Sequence, residues 1–256
     1  MEEPNNTPAK SSPKTDGIPN LANTSPRILA TIKIKKSVKK KLCASIGLLY
    51  YNILMENYFL KLKDTLIESN PTIKFKLFEE LNEKYITKEL DFSPTKDIEI
   101  FKEPSFKSIC NIVPPSQVPK RKNLQTKDGM AILLHAIAHI EYSAIDLALD
   151  ACYRFQDMPD EFYEDWMVVA QDEIRHFLMI TDEMKNYDVK YGDYDVHQGL
   201  FDASMKSLKL IPRMALIPRY MEANGLDSNQ ALIEKLQNIP NSQNIIDMLQ
   251  VILDEE

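Results

Sequence analysis

Five residues carry the chemistry that this sequence offers. Glu173-Ile-Arg-His176 sets a carboxylate and an imidazole three apart, on one face of any helix that contains them. Glu141, Glu222 and Glu256 each fall in register with apolar neighbours at helical spacing. A carboxylate in an apolar stripe is costly unless an ionic or hydrogen-bonding partner compensates it. A metal ion would do so. Oxygen-rich ligation with imidazole, and no thiolate required, suits iron or manganese. Two such ions about 4 Å apart could share bridging carboxylates.

The elements that must position these groups can be read from the same stretches. In residues 131–149, Leu134, Ile137, Ala138, Ile145 and Ala148 form one stripe with Glu141 in its middle. A second helix is expected over Phe162–Met184, with Trp166, Val169, Ala170, Phe177 and Ile180 beside Glu173 and His176. Asp157 reads as a cap and Pro159 as a first-turn residue, so the first helix should end near Phe155 and the second begin near Pro159. Glu141 and Glu173 then lie about 14 residues on either side of the turn, roughly 20 Å along each helix. An antiparallel pair holds them level.

Glu222 follows a run with Leu200, Ala203, Leu208, Ile211 and Ala215, in which Pro212 and Pro218 predict a kink or break. Asn224-Gly225 reads as a helix stop. A short helix is expected over 229–237. A last helix should follow Asn241-Ser242, with Ile245, Met248, Leu249 and Ile252 buried and Glu256 in line with them. It ends abruptly on Asp254-Glu-Glu256, which reads as cut. The four acids are separated by 32, 49 and 34 residues, as in two helical hairpins joined by a longer connection. This is the ferritin-like di-metal carboxylate pattern. In the bland alternative the acids pair with Arg175, Arg213 or Arg219, or lie at the rim of a bundle.

His135 and His139 share a face with Tyr142, rotated away from Glu141. They read as outer residues that orient ligands or bond between helices, and Asp172 is expected to tune the site in the same way. His197 reads as a cap or surface residue. The tract 186–197, with three tyrosines and three aspartates, reads first as a polar connector that turns at Gly192 and second as the lining of a pocket mouth.

Composition narrows the classes. Net charge of −7 argues against a broad nucleic-acid-binding surface. Six glycines, with no GxGxxG and no Walker loop, disfavour phosphate-cradling folds. Cys43, Cys110 and Cys152 are odd in number and scattered, which suggests reduced thiols in the cytoplasm. No run has the order of a signal peptide, and the apolar stretches look too short to span a bilayer.

Residues 1–27 should be disordered. Residues 28–127 should supply accessory helices, over 43–69 and 71–86, and a Pro-rich wrapping segment. Residues 128–256 should form the bundle, truncated at its C-terminus. Lys39–Lys41 and Lys120–Lys122 are basic clusters, read first as solvated surface and second as a nucleic-acid contact.

Several longer runs carry a family resemblance. Val113-Pro-Pro-Ser-Gln-Val-Pro-Lys120, Leu134-His-Ala-Ile-Ala-His-Ile-Glu141, Met158-Pro-Asp-Glu-Phe-Tyr-Glu-Asp-Trp166, Asp172-Glu-Ile-Arg-His-Phe177 and Ile217-Pro-Arg-Tyr-Met-Glu222 resemble the domain of unknown function 455 family, as do Tyr191-Gly-Asp193 and Val251-Ile-Leu-Asp-Glu-Glu256. The resemblance covers roughly residues 40–256 and implies an all-α, ferritin-like four-helix bundle with accessory N-terminal helices. It places Glu141, Glu173, His176, Glu222 and Glu256 at the metal-ligand positions, and the family's last motif continues two residues past the acid to a His. The expectation is a di-iron (or di-manganese) oxidase or oxygenase, the alternative a non-catalytic metal-binding or structural helical bundle. The expected partners are a small-molecule or RNA substrate and a second copy in a homodimer, with no membrane.

Overall fold

The computed structural model describes residues 55–218 and 222–255, together with Lys41. Its described residues are mostly helical. The helices are α1 (Tyr58–Ile67), α2 (Pro71–Ile86), α3 (Lys127–Arg154), α4 (Asp160–Met184), α5 (Gly199–Lys206), α6 (Leu210–Leu216), α7 (Glu222–Leu236) and α8 (Gln243–Glu255). Two-residue strands β1 (Glu56–Asn57) and β2 (Leu90–Asp91) pair in parallel.

The centre is the antiparallel hairpin of α3 and α4. Thr126 caps α3 by accepting from the Gly129 amide at 3.1 Å. Gly129 is required there, because a Cβ would lie 2.3 Å from the Asn123 carbonyl oxygen. The predicted α3 stripe is buried throughout, with Leu134, Ala138, Ile145 and Ala148 at 0% exposure. On α4 the buried line is Tyr163, Met167, Ala170, Ile174, Phe177 and Ile180, with Trp166 and Val169 at its edge. Helix α8 packs on α4 and α7, α5 packs on α3, and α1 packs on α2 and α3.

Several local expectations are corrected. Asp157 does not cap α4; it adopts a left-handed φ of 63°, and Pro159 holds the cap position without a side-chain bond. The turn is held instead by the Tyr163 hydroxyl, which accepts from the Met158 amide and donates to the Phe155 carbonyl, both at 3.1 Å. The helix expected over 43–69 is not continuous in its described part: β1 precedes α1, and Asn57 caps it through the Leu60 amide. Residues 43–54 lie outside the described residues, as do 1–27 and the basic run 39–40. The break expected near Pro212 falls at Ser207–Lys209, and Pro212 itself sits in the first turn of α6, where a missing N–H costs nothing. Asn224-Gly225 does not stop a helix. It falls in the first turn of α7, which runs on through the short helix expected at 229–237.

The apolar stretches are not all short. Helix α3 is long and apolar enough to cross a membrane by length and composition, but 72% of its most apolar window is buried inside the protein. It is a core helix.

The accessory helices are tied to α3 by a buried ion pair. Lys74, at 0% exposure, contacts Asp146, with its Nζ 2.9 Å from Ser105 Oγ, 3.1 Å from the Leu66 carbonyl and over the Tyr142 ring. Between α2 and α3 the Pro-rich segment runs across the core, burying Phe106, Cys110 and Leu124.

Candidate metal centre

The hairpin brings Glu141, Glu173 and His176 together. One ligand atom from each lies within 4.8 Å of the others. His176 Nδ1 is 3.7 Å from Glu141 Oε2 and 3.7 Å from Glu173 Oε2, too long for hydrogen bonds. The side chains are 2%, 4% and 12% exposed for His176, Glu141 and Glu173. Glu173 Oε2 and His176 Nδ1 are buried with no hydrogen-bond partner. Two buried polar atoms without hydrogen-bond partners, 3.7 Å apart, are what a cation displacing the imidazole proton would satisfy.

The electrostatics reflect this crowding. Burial, with Glu141 beside it, raises the Glu173 carboxyl to about 8 against the pull of His176. Burial opposes charge on His176, but the carboxylates of Glu141, Glu173 and Glu255 carry the imidazole up to about 10.

Glu255 is the residue that the sequence reading missed. Its Oε2 lies 3.0 Å from His176 Nε2 and also pairs with Arg175, which is 3.4 Å from Asp172. The apolar stripe of α8 ends at Ile252, from which both 255 and 256 continue at helical spacing, so the pattern alone could not choose. Glu256 lies outside the described residues. Glu222 opens α7, and its side chain lies outside them too. Arg213 pairs with Asp150 rather than with any of the predicted ligands.

The outer residues fall elsewhere. His135 Nε2 accepts from the amides of Gly192 (3.0 Å) and Tyr194 (3.4 Å). His139 bonds the Tyr191 hydroxyl at 3.1 Å and the His197 carbonyl at 2.9 Å. Tyr142 donates to the Ser69 carbonyl at 3.0 Å. These three hold the 186–197 connector and the link between α1 and α2 rather than Glu141. Gly192 turns with φ 100°, as expected, but the connector is more than polar, since the Tyr191 ring stacks on His135, His139 and Tyr142 and meets Phe177 edge-on. His197 Nδ1 accepts from the Gly199 amide at the first residue of α5, whose cap position is Gln198 without a side-chain bond.

Burial lowers His135 and His139 to about 4 each, against an ordinary 6.5. The folded chain therefore resists protons that the unfolded chain takes up, and their contribution is intact above pH 6.5 and lost as pH falls toward 4. The denaturant midpoint should fall between pH 6.5 and 4.5, and His139→Asn should flatten that slope. An unchanged slope in the variant would mean that another group drives the acid loss.

The fold and the site together define an all-α helical bundle with a carboxylate–imidazole cluster inside its central hairpin. The chain belongs to the family described as Protein of unknown function (DUF455), whose model matches residues 67–256. A relative from Haemophilus influenzae (strain ATCC 51907 / DSM 11121 / KW20 / Rd), named only "Uncharacterized protein", is 39% identical over 153 residues. That alignment covers 57% of this chain and 52% of the relative, so the chain spans about half the length of the curated relative it matches. No solved structure matches the chain.

Proposed function

We propose that the protein is a ferritin-like di-metal protein, with iron or manganese held between α3 and α4, and that it acts as an oxidase or oxygenase. The observation that carries this reading is the pair of unsatisfied atoms, Glu173 Oε2 and His176 Nδ1, facing Glu141 in a nearly closed interior. Glu141 and Glu173 supply the negative charge and the oxygens that two cations could share. His176 offers its Nδ1 lone pair, and Glu255 on Nε2 fixes the tautomer that leaves Nδ1 free. Glu222 and Glu256 complete the proposed ligand set. Leu134, Ala138, Ile145 and Ile180, all fully buried, keep bulk water from the hairpin interior. Bound there, a di-iron pair would supply the capacity to use dioxygen to oxidise a C–H or O–H bond.

The test is metal content by mass spectrometry on the full chain after anaerobic ferrous reconstitution. About two ions per chain are expected in the wild type, and none in Glu173→Ala. Glu255→Gln should keep the ligands but weaken metal affinity by about 10–100-fold, as loss of an orienting partner does elsewhere. No metal in the wild type would leave the second reading, a bundle in which Glu141, Glu173 and His176 share protons without turnover. On the substrate side, Lys120, Arg121 and Lys122 are exposed. RNA binding that weakens with salt and with Lys→Ala changes at 120 and 122 would support an RNA substrate.

A further inference from the structure

On the flank of α3 opposite Glu141 lies a groove of about 820 Å³, a size suited to a small organic ligand. Its lining includes Leu66, Phe101, Phe106, Leu147, Phe201 and Met205, from four separate stretches of the chain. Into this apolar hollow α3 presents Asp146, Asp150 and Arg154, which share a face rotated away from the stripe that carries Glu141.

The charges in the wall are unequal. Every acid that lines the groove already has a cation: Glu99 has Lys63, Glu103 has Lys107 and Asp146 has Lys74. Asp150 has two. Arg154 holds it through Nε at 3.0 Å and Nη2 at 2.7 Å, and Arg213 reaches it through Nη1 at 2.6 Å. Arg154 and Arg213 are 7% and 2% exposed, so two buried guanidiniums share one carboxylate. Arg213 spends its other donors on Ser207 and Ser204 and does not line the groove. Arg154 does line it, and its Nη1 has no hydrogen-bond partner among the described residues. A surplus buried positive charge beside an apolar cavity favours an anion with an apolar body.

We propose that this groove binds an amphipathic carboxylate, with its head on Arg154 and its chain along Leu147, Phe201 and Met205. The inference does not depend on the metal reading, since it uses the other face of α3.

The experiment is calorimetric titration of the full chain with decanoate, decan-1-ol and decyltrimethylammonium. Decanoate should bind about tenfold or more tighter than decanol, the gain of one charge-assisted contact, and the cation should bind least. Arg154→Met leaves Asp150 paired with Arg213 and should erase the preference for decanoate over decanol. Met205→Trp fills the groove and should weaken both while the Arg154 charge remains. Glu173→Ala should bind decanoate as the wild type does, which separates this site from the metal cluster. Equal affinity for decanoate and decanol, no binding of decanoate, or a preference that survives Arg154→Met would each overturn the proposal. Should Arg154→Met fail to fold, the wild-type comparison and Met205→Trp decide it.

Discussion

Replacing Asp150 by Ala should cost the fold about 3–5 kcal/mol, the loss expected when one partner of a buried ion pair is removed. The carboxylate is the single anion between Arg154 and Arg213, with contacts of 2.6–3.0 Å. Its removal leaves two guanidiniums facing each other in a low-dielectric interior. Arg213, its side chain 2% exposed and carried on the short helix α6, has no route to water without moving that helix. Urea denaturation would show the loss as a lower midpoint at unchanged slope. Asp150→Ala combined with Arg213→Met should recover much of it, because one cation leaves with the anion. A loss below about 1 kcal/mol, the range of exposed pairs, would mean that the triad is solvated.

The second large effect is a pH dependence that a bound metal would remove. Without metal, the folded chain keeps protons on Glu173 (about 8, against 4.5) and His176 (about 10, against 6.5) that the unfolded chain releases. For groups raised on folding, the stabilising contribution is complete below the unfolded value and lost as pH rises through the folded one. The metal-free protein should therefore be markedly less stable at pH 9 than at pH 6, and Glu173→Gln should remove much of that fall. Metal must displace the same protons, so its affinity should rise with pH and its stabilisation should be greatest where the metal-free chain is weakest. Thermal melts with chelator and with ferrous ion across this range would read both slopes. A flat metal-free profile would mean that the cluster is open to solvent.

What the amino-acid pattern revealed follows from which interactions are local. The α3–α4 hairpin was legible because apolar residues repeat every three or four positions over many turns, and the same repeat placed Glu141, Glu173 and His176 on facing sides. The end of α8 was not, since the step from Ile252 to the next inward position admits either of two adjacent glutamates. Asp157 misled because a cap and a left-handed turn residue favour the same side chain. The Asp150–Arg213 contact joins residues 63 apart, and no periodicity reports such a meeting. Tyr191 looked like loop chemistry because its partners, His135, His139 and Tyr142, belong to another element.

The separation between His176 and Glu255 also sets an order of events during synthesis. The hairpin's turn spans only a few residues, so α3 and α4 can close on each other at small loop cost while the rest of the chain is still being made. Glu255 is 79 residues beyond His176 in the sequence. The nascent chain thus carries Glu141, Glu173 and His176 side by side well before the carboxylate that orients the imidazole has left the ribosome. Translation delivers Glu141, Glu173 and His176 first and their partner Glu255 much later.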